Sequence, residues 1–546
     1  MTGRTETGSG RSVAAALLTL VALVGLVYGT SVSYEFVFDD GLLVTDNPVS
    51  SWTLDRTPDL FRSAVEGVTY RPVRMFTYML DHAIAGGHEA WVFHLSNLLW
   101  HIAAVLTVFG LARALLGGLI GPWLTAAVFA VHPLGSEAVV YIAGRRDLLL
   151  GLFSTASLWS LWNLLEAPSA KARLGNALAA LLLAMLALGS KEIAVVLPVL
   201  AVLLALVRWR QHPQAFSTFS TAQWLGMIAG GAVVIAAVGW LYEPEIRRGV
   251  VSLMADQGLA PQPALSFLVL AHYLVKMLWP QTLQADYRPH AFSLPEAAID
   301  GPSLLAAAFL AVWVAGGLWL LWRGRVAGVG LLWALVALLP VGQLLPYGEL
   351  IAEHNSYLPL VGFSLAIGDG IGRLAARRHD WAWGLAVVLV AVLSARSLAR
   401  VPVWANDVTL WQATLEVAPR AARSRHNLAV AQAQRGQLLE ARESFLTALE
   451  LVPGDPDVLL GLGAMEERLG DHVAAEEIAH QVMAVRPDVE AMTLLGWTQL
   501  GQGKLDQARE SFSLVLQVAP EAGEGVRGMR LVEQRLQRRR PRKPME

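Results

Sequence analysis

From Val13 to about residue 400 the chain carries one apolar segment after another, and then the pattern stops. A helix needs about 20 predominantly apolar residues to cross a bilayer. Segments suited to that task lie at Val13–Ser31, Leu95–Leu116, Ile120–Val140, Leu148–Leu165, Leu174–Leu188, Ala194–Val207, Met227–Leu241, Leu304–Trp322, Val326–Leu344, Leu358–Ile371 and Trp383–Leu398. Backbone polar groups in lipid have to be satisfied within the segment, so such a series folds as a helix bundle. The composition agrees, with 55% hydrophobic and 16% charged residues over 546 positions. The expected fold class is all-α: a polytopic membrane bundle of about eleven helices, followed by a water-soluble part.

A twelfth segment, Leu265–Trp279, carries His272, Tyr273 and Lys276 and ends at Pro280. An interfacial or re-entrant helix tolerates that pattern better than a lipid-facing span. Charge placement decides between eleven and twelve crossings, because Lys and Arg in short loops favour the cytoplasm. With Arg4 and Arg11 inside, the loops "EAPSAKAR" and "RWRQHP" also fall inside. If Leu265–Trp279 does not cross, "WRGR" and "RLAARRH" join them, and the soluble part is extracytoplasmic. The N-terminal "MTGRTETGSGR" plus apolar run reads as an uncleaved first helix rather than a signal peptide. The expected location is the plasma (inner) membrane.

The same topology sends a set of polar motifs to one face: Asp39 and Asp40 in "FVFDD", "TYRPVR", "HPLGSEAVVYIAGRRD", "GSKE", "ADYRPH" and "IAEHNSYLP". Ionisable groups at membrane depth are expensive, so a cluster of them reads as a site. Asp39 and Asp40 follow a β-prone aromatic stretch; either can act as a general base or hold a hydroxyl, or the pair is a cap or solvated. Arg71 and Arg74 open a segment expected to form an amphipathic helix, Phe76–Phe93, and a guanidinium there suits a phosphate, the acid pair or headgroups. His132-Pro133 breaks a helix. In the helix that follows, Glu137, Tyr141 and Arg145 are spaced to share one face, with Arg146 and Asp147 opening the next span. Lys191 is a phosphate contact or the ion-pair partner of Glu192. Asp286, Tyr287, Arg288 and His290, then Glu353, His354 and Tyr357, add polar groups at the same level.

The sequence after Ala422 repeats with a period near 34 residues. Gly436, Gly470 and Gly503 align, as do Ala441, Ala475 and Ala508, and Pro453, Pro487 and Pro520. This resembles the tetratricopeptide repeat, a stack of helix pairs offering a concave surface to an extended peptide or a partner protein. The expected domains are a cytoplasmic terminus 1–11, a membrane domain 12–402, a linker or partial repeat 403–421, about three repeats over 422–522, and a basic tail 523–546. "QRRRPRKP" in that tail reads as a solvated end. A net charge of −2 gives no reason to expect nucleic acid, and the absence of cysteine excludes disulfides, Cys-ligated zinc and thiol catalysis.

The order "FVFDD", "YRPV", "HP", "SEAV", "GR-DLL", "KE", "AEHNSYLP" and then tetratricopeptide repeats resembles the transmembrane and tetratricopeptide-repeat-containing O-mannosyltransferases, which belong to the GT-C class of glycosyltransferases. The resemblance implies a GT-C-like membrane domain that moves a sugar, mannose or another hexose, from a polyprenyl-phosphate-linked donor to a Ser or Thr hydroxyl of an extracytoplasmic protein. It maps the catalytic carboxylate to Asp39 or Asp40. This chain departs from the pattern at "GRRD" and in having His354 where relatives often carry arginine. The residues permit that chemistry: a carboxylate accepts the hydroxyl proton while Arg71, Arg145, Arg146, Lys191 or Arg288 stabilises the leaving phosphate. His132, Glu137, Glu353 and His354 complete the expected donor or substrate contacts. The lipid-linked sugar is a co-substrate, and neither a cofactor nor a divalent metal is required. The competing readings are a membrane-anchored repeat scaffold without catalysis and a transporter; no pseudo-symmetric halves favour the latter.

Overall fold

The computed structural model describes residues 10–60, 71–212, 263–287, 295, 300–344, 347 and 349–539. The chain forms two units, Met1–Thr409 and Leu410–Glu546. Among the described residues all regular structure is helical.

Among the described residues of the first unit eight helices are long and apolar enough to cross a membrane, or nine if a bent pair is one span. The chain is therefore a multi-pass membrane protein. Most of the eleven expected segments coincide with these helices. Ile120–Val140 is the bent pair, broken by 54° between Ile120–Val131 and Pro133–Val140. Val326–Leu344 gives a shorter apolar helix, Val326–Val341, and Met227–Leu241 lies outside the described residues. Pro263–Leu278 is likewise a short apolar helix. The amphipathic segment ends earlier than expected. Its helix runs Pro72–Ala85 and stops at Gly86, left-handed at φ 71°, so Phe93 belongs to the next long helix, Ala90–Leu116.

Tyr357–Ala375 lies centrally, packed against Ile120–Val131 on one side and Val326–Leu338 on another. Glycines let the backbones approach closely at both crossings. A Cβ on Gly362 would come 2.7 Å from the Gly330 carbonyl oxygen, and one on Gly368 would come 2.6 Å from that of Gly121. Small residues at such crossings let dispersion contacts replace the hydrophobic drive that lipid removes. The N-terminal end of this helix carries Glu353 and His354, so the same packing fixes part of the polar cluster.

The second unit is a stack of helix pairs: Ala422–Gln434 with Leu438–Leu451, Pro456–Leu469 with His472–Val485, and Val489–Gly501 with Leu505–Val518. Gly436, Gly470 and Gly503 take positive φ at the turn inside each pair, and Ala441, Ala475 and Ala508 are fully buried where the helices cross. Polar braces recur between paired helices. Ser444 Oγ donates to Gln432 Oε1 at 2.8 Å, and Ser511 Oγ to Gln499 Oε1 at 2.8 Å. Within the basic tail Gly523–Arg539 is a helix whose Val532 is buried against Leu505 and Phe512, and most of "QRRRPRKP" lies outside the described residues. Three apolar positions, Met529, Val532 and Leu536, give it a face to bury despite its charge.

Candidate functional site

After the first span the chain makes a short 3-10 turn, Gly29–Ser33, and runs extended to Phe38, whose φ of 56° is rare for a residue with a side chain. Asp39 follows, half-buried, and then Asp40, fully buried. The two acids are not equivalent. Asp40 turns back into the protein: Oδ2 accepts the Val37 N–H at 3.1 Å and Oδ1 accepts the Ala143 N–H at 2.8 Å. Burial pushes its carboxyl up to about 8, against the pull of these amides. Asp40 thus ties the acid loop to the turn Ile142–Gly144, while Asp39 is the less enclosed carboxylate.

Glu137, Tyr141 and Arg145 do not share one helix face. The helix Ser136–Val140 ends at Tyr141, which is extended, and a 3-10 turn at Ile142–Gly144 precedes the helix starting at Arg145. Gly144 makes the turn possible, since a Cβ there would lie 2.7 Å from the Ala138 carbonyl oxygen. Each side chain consequently takes its own direction. Glu137 accepts from His354 twice, at Nδ1 (2.7 Å) and the backbone N–H (3.1 Å). The Tyr141 ring stacks on Trp404 at 5.5 Å and lies 5.8 Å from Phe38. Arg145 donates to Asn97 Oδ1 at 2.7 Å and to the Phe93 carbonyl at 2.8 Å, and pairs with Asp81. That is a structural setting, with the guanidinium spent on the helices behind the loop. His132 is also internally satisfied, Nε2 bonding the Met277 carbonyl at 3.0 Å.

The remaining expected residues form a connected polar layer. Arg146 Nη2 is 2.8 Å from His354 Nε2 and 3.6 Å from Glu349 Oε1. Lys191 Nζ donates to Asp147 Oδ1 at 2.8 Å and to Asn355 Oδ1 at 2.7 Å. Arg71 grips both oxygens of Glu192 at 3.0 Å, and Tyr347 donates to Glu192 Oε1 at 2.9 Å. Glu353 accepts from the Gln284 N–H and the Tyr287 hydroxyl, each at 2.6 Å, and from Arg400 at 3.3 Å. Arg288 and His290 lie outside the described residues. Among the described residues no group of three or more His, Asp or Glu is placed to hold a metal ion.

Among the described residues one cation stands apart. Arg74 is fully buried, yet its Nε and Nη1 have no hydrogen-bond partner. Nη2 reaches only the Met75 sulfur, at 3.7 Å, and the guanidinium sits 5.8 Å from the Tyr78 ring centroid. Burial, with the charges of Arg71 and Arg146 nearby, lowers it to about 10. Native proteins rarely leave such donors orphaned, and each one calls for an explanation. In the sequence Arg74 is indistinguishable from Arg71; the difference is Glu192, which only the fold supplies. Glu349 and Asp81 also escaped the sequence reading. Glu349 falls just before "IAEHNSYLP", and Asp81 lies two turns beyond Arg74 on the same helix.

The tetratricopeptide repeat model matches residues 489–521. Protein O-mannosyl-transferase F38B6.6 of Caenorhabditis elegans is 24% identical over 451 residues, covering 80% of this chain and 63% of the relative. Human protein O-mannosyl-transferase TMTC1 is 24% identical over 525 residues, covering 84% and 57%. The chain therefore spans about three-fifths of the length of these curated relatives. Among solved structures, ArnT from Cupriavidus metallidurans bound to undecaprenyl phosphate aligns over 97% of this chain and 89% of its own at 13% identity, with a TM-score of 0.36, too low to carry an argument. With a multi-pass helical unit and a tetratricopeptide-repeat unit, the chain is similar over most of its sequence to these two protein O-mannosyl-transferases.

Proposed function

We propose that this protein transfers a hexose, with mannose as the first candidate, from a polyprenyl-phosphate-linked donor to a Ser or Thr hydroxyl of an extracytoplasmic protein. Asp39 takes the acceptor hydroxyl proton as that oxygen attacks the sugar's anomeric carbon. The bond from that carbon to the phosphate oxygen breaks, and the lipid phosphate leaves as an anion. Arg74, with Arg146 close by, receives the phosphate. Asp40 shapes the loop, and the repeats hold the acceptor or a partner protein. The supporting observation is Arg74: a buried guanidinium with unfilled donors, in the field of Arg146 and Tyr141, is prepared for an anion that arrives with the substrate.

Arg71, Arg145 and Lys191 hold Glu192, Asp81 and Asp147, and serve as the frame around that position. The site faces the extracytoplasmic side of the plasma membrane, a placement that follows from the basic loops. Mass spectrometry of extracytoplasmic proteins from wild-type, deletion and complemented hosts tests the proposal. Hexose on Ser or Thr is expected to vanish in the deletion, return with the wild-type gene and stay absent with Asp39→Asn. Unchanged glycopeptides across all strains would refute protein glycosylation and favour a repeat scaffold.

A further inference from the structure

The acid loop is held at a point where its backbone is strained. Phe38, immediately before Asp39, has a φ of 56°, in the left-handed region that side chains disfavour. Such a conformation persists only where its surroundings over-determine it. One restraint comes from far along the chain: the Phe38 N–H donates to Asp407 Oδ1 at 2.8 Å. A second bond runs beside it, from the Glu35 N–H to the Ala405 carbonyl at 3.1 Å. The ring of Phe38 meets Tyr141, which stacks on Trp404.

Asp407 opens the helix Asp407–Val417, where an acidic side chain ordinarily serves its own helix end. Here Asn406 already fills that role. Its Oδ1 accepts the Thr409 N–H at 3.1 Å, and the Asn406 N–H is 3.3 Å from Thr409 Oγ1. The Asp407 carboxylate reaches across to the loop.

We infer that Asp407 is a positioning residue for sugar transfer: by accepting the Phe38 N–H it holds the left-handed turn that aims Asp39 at the acceptor hydroxyl. The inference rests on the reading of Asp39 as the proton acceptor. It makes the segment after the last membrane helix part of the transfer machinery.

The test uses the full-length protein with polyprenyl-phosphate mannose as donor probe and a Ser/Thr-rich peptide as acceptor probe, together with amide hydrogen exchange over residues 35–40. Asp407→Ala is expected to lower kcat by about 100-fold, the scale of a misaimed catalytic group, with little change in the donor KM, and to speed exchange at Phe38. Asp407→Asn keeps an accepting oxygen but loses the charge, so it should restore most of kcat and the slow exchange. If the charge at the helix end were what mattered, Asn would fail as Ala does, and that result overturns the inference. Wild-type kcat, or unchanged Phe38 exchange, in Asp407→Ala also overturns it. Asp39→Asn separates the two readings. If it is inactive while Asp407→Ala transfers normally, only the positioning role falls; if it transfers normally, both fall.

Discussion

Replacing Arg74 by methionine should make the protein more stable and stop it working. Methionine has a similar length and no polar donors, so it fills most of the space left by the guanidinium. The two orphaned nitrogens, Nε and Nη1, each carry a desolvation penalty of about 1–3 kcal/mol. Against that gain stands the lost cation–π contact with Tyr78, worth about 0.5–1 kcal/mol. The net is a stabilisation of about 1–5 kcal/mol, seen as a rise of a few degrees or more in unfolding temperature at fixed scan rate in detergent. Function moves the other way. Two charge-assisted hydrogen bonds to a phosphate are worth about 3–6 kcal/mol together, so kcat/KM for the donor should fall by about 10²- to 10⁴-fold. Added polyprenyl phosphate should raise the unfolding temperature of the wild type and leave the variant unmoved. A variant that unfolds at lower temperature, transfers sugar normally and still responds to the lipid phosphate would refute the reasoning.

The two acids should part company. Asp39→Asn is expected to lose transfer at an unchanged unfolding temperature, whereas Asp40→Asn should also destabilise by about 1–3 kcal/mol, because the amide cannot accept both the Val37 and Ala143 N–H groups; calorimetry beside the transfer assay separates them. Asp40 also predicts a pH trend. Its folded carboxyl is raised to about 8, above its unfolded value, so its contribution is full in acid and is lost as pH rises through about 8. The unfolding temperature should fall from pH 5 to pH 8 in the wild type and fall less in Asp40→Asn; equal slopes would count against it. Gly362→Ala should destabilise by about 1–3 kcal/mol, since the new methyl would lie 2.7 Å from both the Gly330 carbonyl and Trp333 Cβ, and a neutral result by thermal unfolding would show that those helices can separate.

The repeats were legible because their restraints are local and periodic. Gly436, Gly470 and Gly503 recur at the turn where a left-handed residue is needed, and the buried alanines mark each crossing. The apolar segments were legible for a similar reason, since length and composition decide them. What the sequence could not show is direction. Glu137, Tyr141 and Arg145 fit a helical period, but the period is interrupted at Tyr141, and the turn depends on the small space around Gly144. Arg71 and Arg74 look alike until the fold brings Glu192, 121 residues away, to one and not the other. Asp39 and Asp40 look alike until the Ala143 amide, 103 residues on, meets Asp40. Choosing between like residues required partners that sequence distance conceals.

The helix Tyr357–Ala375 brings its backbone close to that of its neighbours on two sides, with Gly330 opposite Gly362 and Gly121 opposite Gly368. Long side chains can change rotamer to let a neighbour slide, but backbone pressed on backbone has nothing to yield. The central helix is therefore a fixed post, and the His354 end of the polar layer moves with it or not at all. By contrast Ala170–Leu188, packed on Arg145–Glu166 and only 17% buried over its apolar window, gives most of its apolar surface to the lipid.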